Sequence, residues 1–342
     1  MDWLRAGSSS VQQAALRDLD RAFANFFAGR ASYPHVKRRT EREGSFVVRD
    51  LSVKRLSRKW GAVMVPKVGM VRLRISRLWS DITAATSARV THRNGRWHVA
   101  FTTPPAAKIT AETGAAVGID RGVANTLATS NGRMIQAPAL NLGEQRRFLA
   151  LQRRLARQQN GSNRRKHTLD QLAVLRQRLE DRRTDWVEQT TTGLARAHDL
   201  IAVEDLRVVN MVRRPPPKPD PEQPGAFLPN GARAKASLSK AILASVWGRF
   251  LTRLEHKMPE AQVVRVDPKN TSRTCAACGH MAASNRESQA VFACQACGHQ
   301  AHADTNAAVV ILDRALSTMT AGHAVSGRGS PAPAGSVNHQ AA

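Results

Sequence analysis

Ala116-Val-Gly-Ile-Asp120 is a short, unbroken apolar run that ends in an acid. Such a run reads as a strand buried on both faces, in a sheet with helices above and below. Leu200-Ile-Ala-Val-Glu204 repeats the pattern. Between the two, Asn125 to Ser130 reads as a second strand, and Asn131-Gly132 as a turn into a third. Two long helices follow, the first marked by Phe148, Leu151 and Leu155, the second by Leu172, Leu175, Leu179 and Trp186. After Glu204 comes a Pro-rich break from Pro215 to Pro224. Ile242, Val246, Phe250 and Leu254 then mark a helix, Val263 to Val266 a last strand, and Thr305 to about Leu316 a final helix with Asp304 at its start.

This order is that of an α/β fold, a mixed sheet flanked by helices, and is compatible with an RNase H-like layout. In that layout the first strand is central, and Asp120, Glu204 and Asp304 can converge beside its end. Phosphodiester hydrolysis needs such a cluster, because a water must be activated and a leaving oxygen stabilised on a negative substrate. Two magnesium ions about 4 Å apart do both. Magnesium prefers carboxylate oxygens, and three carboxylates repel one another without a cation. Taken singly, each acid has a plainer role. Asp120 can open a turn, Glu204 or its neighbour Asp205 can form a surface ion pair, and Asp304 can cap the last helix. Together, at the ends of these elements, they read as catalytic, with Asp205 the substitute for Glu204.

The most specific local pattern is Cys275-Ala-Ala-Cys278 and Cys294-Gln-Ala-Cys297. Two such pairs form two knuckles that complete a tetrahedral thiolate site for zinc. Gly279 and Gly298 follow the second cysteine of each pair, where a knuckle needs positive φ. His280 and His299 lie close enough to compete as ligands but rank below the cysteines. A site closed by four thiolates is structural.

Upstream, Ser10-Val-Gln-Gln13 reads as a capping box opening a helix through Leu16, Leu19, Phe23 and Phe26, closed by Gly29. From about Ser45 to Thr102 the period shifts toward two, with Arg72 and Arg74 alternating with Val71, Leu73 and Ile75, and Asn94-Gly95 at a hairpin turn. This predicts a small antiparallel barrel or sheet with a basic outer face. Pro104-Pro105 begins a linker.

The chain carries 52 Lys and Arg against 26 Asp and Glu, a net charge of +26. A nucleic acid is the natural partner for that excess, since phosphate neutralisation releases counterions. Lys37, Arg38 and Arg39, and Arg164, Arg165 and Lys166, are the candidates for phosphate contact; a solvated charged face is their plainer role. No apolar run is long enough to span a membrane, and no secretory signal is evident, which points to the cytoplasm.

These stretches resemble the TnpB family of insertion-sequence proteins, relatives of the type V CRISPR effectors. The resemblance rests on Gly118-Ile-Asp120-Arg-Gly, Val203-Glu-Asp-Leu206, Thr271-Ser272 through Cys275-Ala-Ala-Cys278-Gly, Cys294 through Cys297-Gly, and Ala303-Asp-Thr-Asn-Ala307, with Leu16 to Phe27 in support. It implies a partial helical recognition segment at 1–43, a wedge-like β-barrel at 44–103, a linker at 104–114, and a RuvC-like nuclease domain with a helical insertion at 115–269. It further implies a zinc ribbon at 270–300 and a last RuvC-like segment at 301–320; the Gly, Ala, Pro and Ser of 321–342 predict a disordered tail. The implied activity is magnesium-dependent cleavage of DNA directed by a transposon-derived guide RNA, with Asp120, Glu204 and Asp304 as the acids. Family members usually carry a further basic strand and more recognition helix before the segment that starts here at Met1. The alternatives are a guided or unguided DNA-binding repressor or decayed family member that does not cut, and a zinc-ribbon protein in which the acids are incidental.

Overall fold

The chain divides into two compact units, 1–106 with 141–178 and 107–140 with 179–342. The computed structural model describes residues 5–36, 44–93, 95–122, 125–223 and 225–326, excepting the side chains of 321–326. Lys37, Arg38, Arg39 and Asn94 lie outside the described residues.

The first unit opens with α1 (Ser9–Phe27). Ser8, not Ser10, is its N-cap, and no side chain closes a capping box there. Gly29 adopts a φ of +66° just past the helix, as the closing role requires. Phe23, Phe26, Phe27 and Tyr33 pack ring against ring. The β region holds β1 (Gly44–Val48), β2 (Val53–Arg55), β3 (Trp60–Val65), β4 (Gly69–Arg74), the short α2 (Trp79–Thr83), β5 (Ser87–Arg93) and β6 (Arg96–Thr102). Among the described residues these strands form two separate antiparallel sheets, β1-β5-β6 and β2-β3-β4. On the second sheet Val63 and Val65 are buried, while Arg72 stacks over the Trp60 ring at 4.1 Å on the opposite face.

Two helices follow in sequence, α3 (Leu142–Ala156) and the 35-residue α4 (Asn163–Ala197). A full capping box starts α3: Glu144 N donates to Asn141 Oδ1 at 2.8 Å, and Asn141 N to Glu144 Oε2 at 3.1 Å. Phe148, Leu151 and Leu155 meet Leu172 and Leu175 in one apolar cluster, as their spacing predicts.

The second unit is built on a five-stranded sheet. Its strands are β7 (Ala116–Asp120), β8 (Leu127–Thr129), β9 (Met134–Ile135), β10 (Leu200–Glu204) and, after the short α5 (Val208–Val212) and the two-residue β11 (Lys218–Pro219) and β12 (Phe227–Leu228), β13 (Val263–Val266). Their order is β13-β10-β7-β8-β9. β13, β10 and β7 run parallel; β8 and β9 are antiparallel additions. The helix expected around Ile242 to Leu254 is two helices, α6 (Ala232–Ala244) and α7 (Trp247–Lys257), broken at Ser245-Val246. The zinc-pattern region adds β14 (Val291–Ala293) and β15 (Gln300–His302) as a small hairpin. The last helix, α8 (Ala303–Ser326), starts before Asp304 and runs well past Leu316, so Asp304 lies inside its first turn and is not its cap.

Side-chain alternation assigns each sheet face a partner. Val117, Ile119, Ile201 and Val203 pack with Leu194 and Ala195 of α4 and with Trp247, Phe250, Leu251 and Leu254 of α7. Ala202 and Val266 pack on Ile311 and Ala315 of α8. Gly118 lies on this second face. A Cβ there would sit 2.0 Å from the Ala308 carbonyl oxygen, so the helix rests directly on the strand backbone. The even-numbered residues that follow, Asp120 and Glu204, therefore end their strands on the side from which α8 presents Asp304.

Candidate functional site

Parallel pairing sets the first two acids. Val203 is opposite Ile119 in the β10–β7 ladder, so the next residues, Glu204 and Asp120, end neighbouring strands at one level. Adjacent strands lie about 4.8 Å apart. Asp120, Glu204 and Asp304 are 8%, 7% and 4% exposed. Burial, then the charges of Glu204 and Asp304, push the Asp120 carboxyl up to about 7. Asp120 thus feels both other acids, which come from distant parts of the sequence. Burial also raises Glu204. Asp205, the substitute, is exposed and ion-paired with Arg265 at 3.1 Å, so the buried member of the pair is Glu204.

Protein donors orient two of the acids. The Thr271 hydroxyl donates to Glu204 Oε1. Asn125 Nδ2 donates to Asp304 Oδ2 at 3.3 Å, and Gln136 Nε2 donates to Asn125 Oδ1 at 3.0 Å. Arg286 Nη2 donates to Asp304 Oδ1 at 3.2 Å. Gly122 passes so near that a Cβ would come within 3.3 Å of Asp304 Oδ2 and 2.5 Å of the Asn125 carbonyl oxygen. Carboxylate oxygens are the donors that hard divalent cations such as magnesium prefer, but the three acids are not drawn together as closely as the four cysteines are. Asn125, Thr271 and Arg286 had no assigned role from sequence. Thr271 belongs to a motif stretch and Asn125 begins a predicted strand, but no spacing marks Arg286.

The four cysteines are the one group of three or more metal-ligating side chains gathered closely enough to hold an ion among the described residues, with all their sulfurs within 4.8 Å of one another. Cys275 and Cys297 Sγ are 3.7 Å apart, as are Cys278 and Cys294 Sγ. These separations are far beyond a disulfide and match the edge of a tetrahedron with metal–sulfur bonds of about 2.3 Å. Gly279 and Gly298 have φ of +74° and +70°, and their N–H groups donate to Cys275 and Cys294 carbonyls. The N–H of Cys297, then that of Ala296, lowers the Cys294 thiol to about 6, while against the His280 N–H the hydrogen bond with Cys297 and burial push the neighbouring Cys278 up to about 12. His280 and His299 serve the knuckles through their backbone carbonyls, which accept from Cys275 N and Cys294 N. Asn306, in the first turns of α8, donates to Thr274 O at 2.7 Å and accepts from Ala276 N at 3.0 Å. The cysteine knuckle is thus bonded to the helix that carries Asp304.

Of the phosphate-contact candidates, Arg164 and Lys166 are exposed in the first turn of α4. Arg165 turns inward, donating to Leu155 O at 2.6 Å and Gln158 O at 3.3 Å.

Residues 98–214 match a family model described as "Probable transposase", and residues 247–311 one described as "Cas12f1-like, TNB domain". A protein of Escherichia coli (strain K12), named for an RNA-guided DNA endonuclease, InsQ, is 32% identical over 326 residues, covering 94% of this chain and 77% of that protein. A Streptomyces pristinaespiralis protein, also named for an RNA-guided DNA endonuclease, is 30% identical over 279 residues, 80% of this chain and 63% of its own. Among solved structures, a Cas12f1–sgRNA–target DNA complex aligns at a TM-score of 0.33 and 14% identity, covering 89% of this chain and 79% of that one. CasPhi-2 (Cas12j) bound to crRNA aligns at 0.40 and 13%, covering 75% and 61%. No helix among the described residues is long and apolar enough to cross a membrane.

Proposed function

Because this chain belongs to the TnpB family of insertion-sequence proteins, we propose that it is an RNA-guided, magnesium-dependent DNA endonuclease whose catalytic acids are Asp120, Glu204 and Asp304. The observation that carries this reading is the side-by-side ending of two buried parallel strands in Asp120 and Glu204, with Asp304 felt electrostatically by Asp120. The strand order and the helices on both faces support a RuvC-like, RNase H-type unit, with the four-cysteine region as a structural zinc ribbon inserted before the last helix.

Bound magnesium would supply an activated water and charge stabilisation at the leaving oxygen. The chain's own residues set the stage. Thr271 fixes the Glu204 carboxylate, Asn125 and Arg286 fix Asp304, and Arg286 brings a cation to a site that must accept a phosphodiester. Arg164 and Lys166 stand at the N-terminal end of α4, where helix polarity disfavours cations and no acid sits in the first turn. A phosphate from the guide RNA or the DNA would relieve that clash. Base pairing by the guide, not these contacts, would choose the target.

The test is cleavage of a matched DNA target by purified protein with its element-derived RNA and magnesium. The wild type should cut, and Asp120→Ala should bind RNA normally yet leave DNA intact. Cutting by Asp120→Ala at the wild-type rate rules out this site.

A further inference from the structure

The residue after Asp120 is an arginine that the chemistry above does not use. Arg121 is 8% exposed, and its nearest charges include Asp120 and Glu204. Its guanidinium nevertheless turns to the break between α6 and α7. Nε donates to Ser245 Oγ at 3.1 Å, and Nη2 donates to Ser245 Oγ at 3.0 Å and to the Ile242 carbonyl at 3.1 Å. The next residue, Val246, has a φ of +50°, a conformation that a β-branched residue adopts only under constraint.

Helix α6 rests on the short α5 but buries little of its own surface. Ile242 is its one buried residue, and Leu238 and Leu243 are 50% and 60% exposed. Its charged side chains are Arg233, Lys235 and Lys240, with no acid. Arg233 and Lys240, both exposed, are seven residues apart and so share a helix face. Arg121 satisfies a carbonyl in the last turn, the end where a cation is favourable.

We propose that Arg121 is a positioning residue that pins the α6–α7 joint to the acid strand, so that the cations of α6 hold the phosphodiester backbone of the DNA strand entering the acid site. The idea rests on the endonuclease reading above. Arginine is suited to the task because its planar fork bonds two acceptors at once, which a lysine cannot reproduce. DNA is the partner because cations without compensating acids match a polyanion, on an exposed helix whose last turn is bonded to the residue after Asp120, the acid the strand to be cut must reach.

Hydrogen exchange on the full-length protein, with binding of a fluorescent single-stranded DNA oligonucleotide at several salt concentrations, tests it. An RNA of the same sequence serves as competitor. Arg121→Met should speed amide exchange across 238–246 and weaken DNA binding by roughly tenfold, and Arg121→Lys should not restore either. Ser245→Ala, which removes two of the three bonds while leaving the buried charge in place, should show the same changes to a smaller degree and carries the test if Arg121→Met does not fold. Arg233→Ala/Lys240→Ala should lower the slope of log affinity against log salt by about 2, one per lost phosphate contact. Wild-type exchange at 238–246 in Ser245→Ala and Arg121→Lys, or an unchanged salt slope in the double variant, overturns the proposal. So does an RNA competitor that displaces the DNA at far lower concentration than unlabelled DNA. None of these measurements requires cutting, so a wild-type protein that fails to cut a guided target counts against the endonuclease reading alone.

Discussion

Arg286 donates to Asp304 Oδ1 across 3.2 Å, an ion pair that joins the loop between the two cysteine pairs to the first turn of the last helix. The side chain is 27% exposed and that of Asp304 is 6% exposed, so the cation lies between solvent and the buried acids. Arg286→Ala should lower DNA cleavage by on the order of a hundredfold, the usual cost of removing one preorganised donor to a reacting centre. Zinc content should stay at one ion per chain, because no cysteine is altered. Cleavage kinetics beside elemental analysis check both halves; an unchanged rate would remove Arg286 from the site.

The ion-free site should make stability depend on pH. Asp120 sits at about 7 in the folded chain and near 3.8 when unfolded. The folded state therefore binds the proton more tightly. That contribution is full below the unfolded value and is lost as pH rises through the folded one, so the ion-free protein should weaken between about pH 4 and 7. The shift corresponds to on the order of 4 kcal/mol. Asp120→Asn should flatten the profile and raise the melting temperature of the ion-free protein near neutral pH. Melting curves without divalent ions test this, and equal slopes for the two proteins would contradict it.

Divalent binding should release a proton in the same pH range. A cation and a proton compete for the Asp120 carboxylate, so apparent manganese affinity should rise as pH approaches 7 and level off above it. Calorimetry in buffers of different ionisation enthalpy reports the proton count. The expected outcome is close to one proton released near pH 6 and few above pH 8, and a pH-independent affinity would argue against Asp120 as a ligand.

Gly118→Ala should be among the most damaging small substitutions in the chain. The added methyl would meet the Ala308 carbonyl at 2.0 Å and Leu312 Cβ at 2.9 Å, both on α8. Overpacking a rigid contact costs about 1–3 kcal/mol or more, and here the helix that must move carries Asp304. Chemical denaturation should show the loss, with cleavage falling further than stability alone explains. Wild-type stability would mean the helix does not rest on the strand.

Zinc removal should reach the acids through Asn306, which bonds the knuckle backbone to α8. Cys297→Ser should weaken zinc retention and slow cleavage together. Lost zinc with full cleavage in that variant would separate the ribbon from the site.

Much of the site was legible because its chemistry is written locally. Asp120 and Glu204 end apolar runs that can only be buried strands, and the cysteine pairs with their glycines specify knuckles through φ alone. The helices around Leu151 and Leu172 followed from periodicity. What escaped depends on long-range packing. Ser10 offered a capping pattern that Ser8 supersedes by a two-residue shift. The break at Ser245-Val246 has no glycine or proline to announce it; a valine takes positive φ because Arg121 and the buried Trp247 fix the joint on either side. Arg165 looked like a free surface cation, yet it satisfies carbonyls at the end of α3. Arg286 finds its acid only when the cysteine loop folds back on α8. Such pairings join residues whose separation in sequence carries no period.

If Asp120, Glu204 and Asp304 together hold divalent cations, anomalous diffraction from crystals of the full-length protein grown with manganese will locate them. Manganese peaks should lie in contact with carboxylate oxygens of all three residues, separate from a zinc peak among Cys275, Cys278, Cys294 and Cys297. A zinc peak with no manganese density at the three acids, at concentrations that support cleavage, would contradict that role for them.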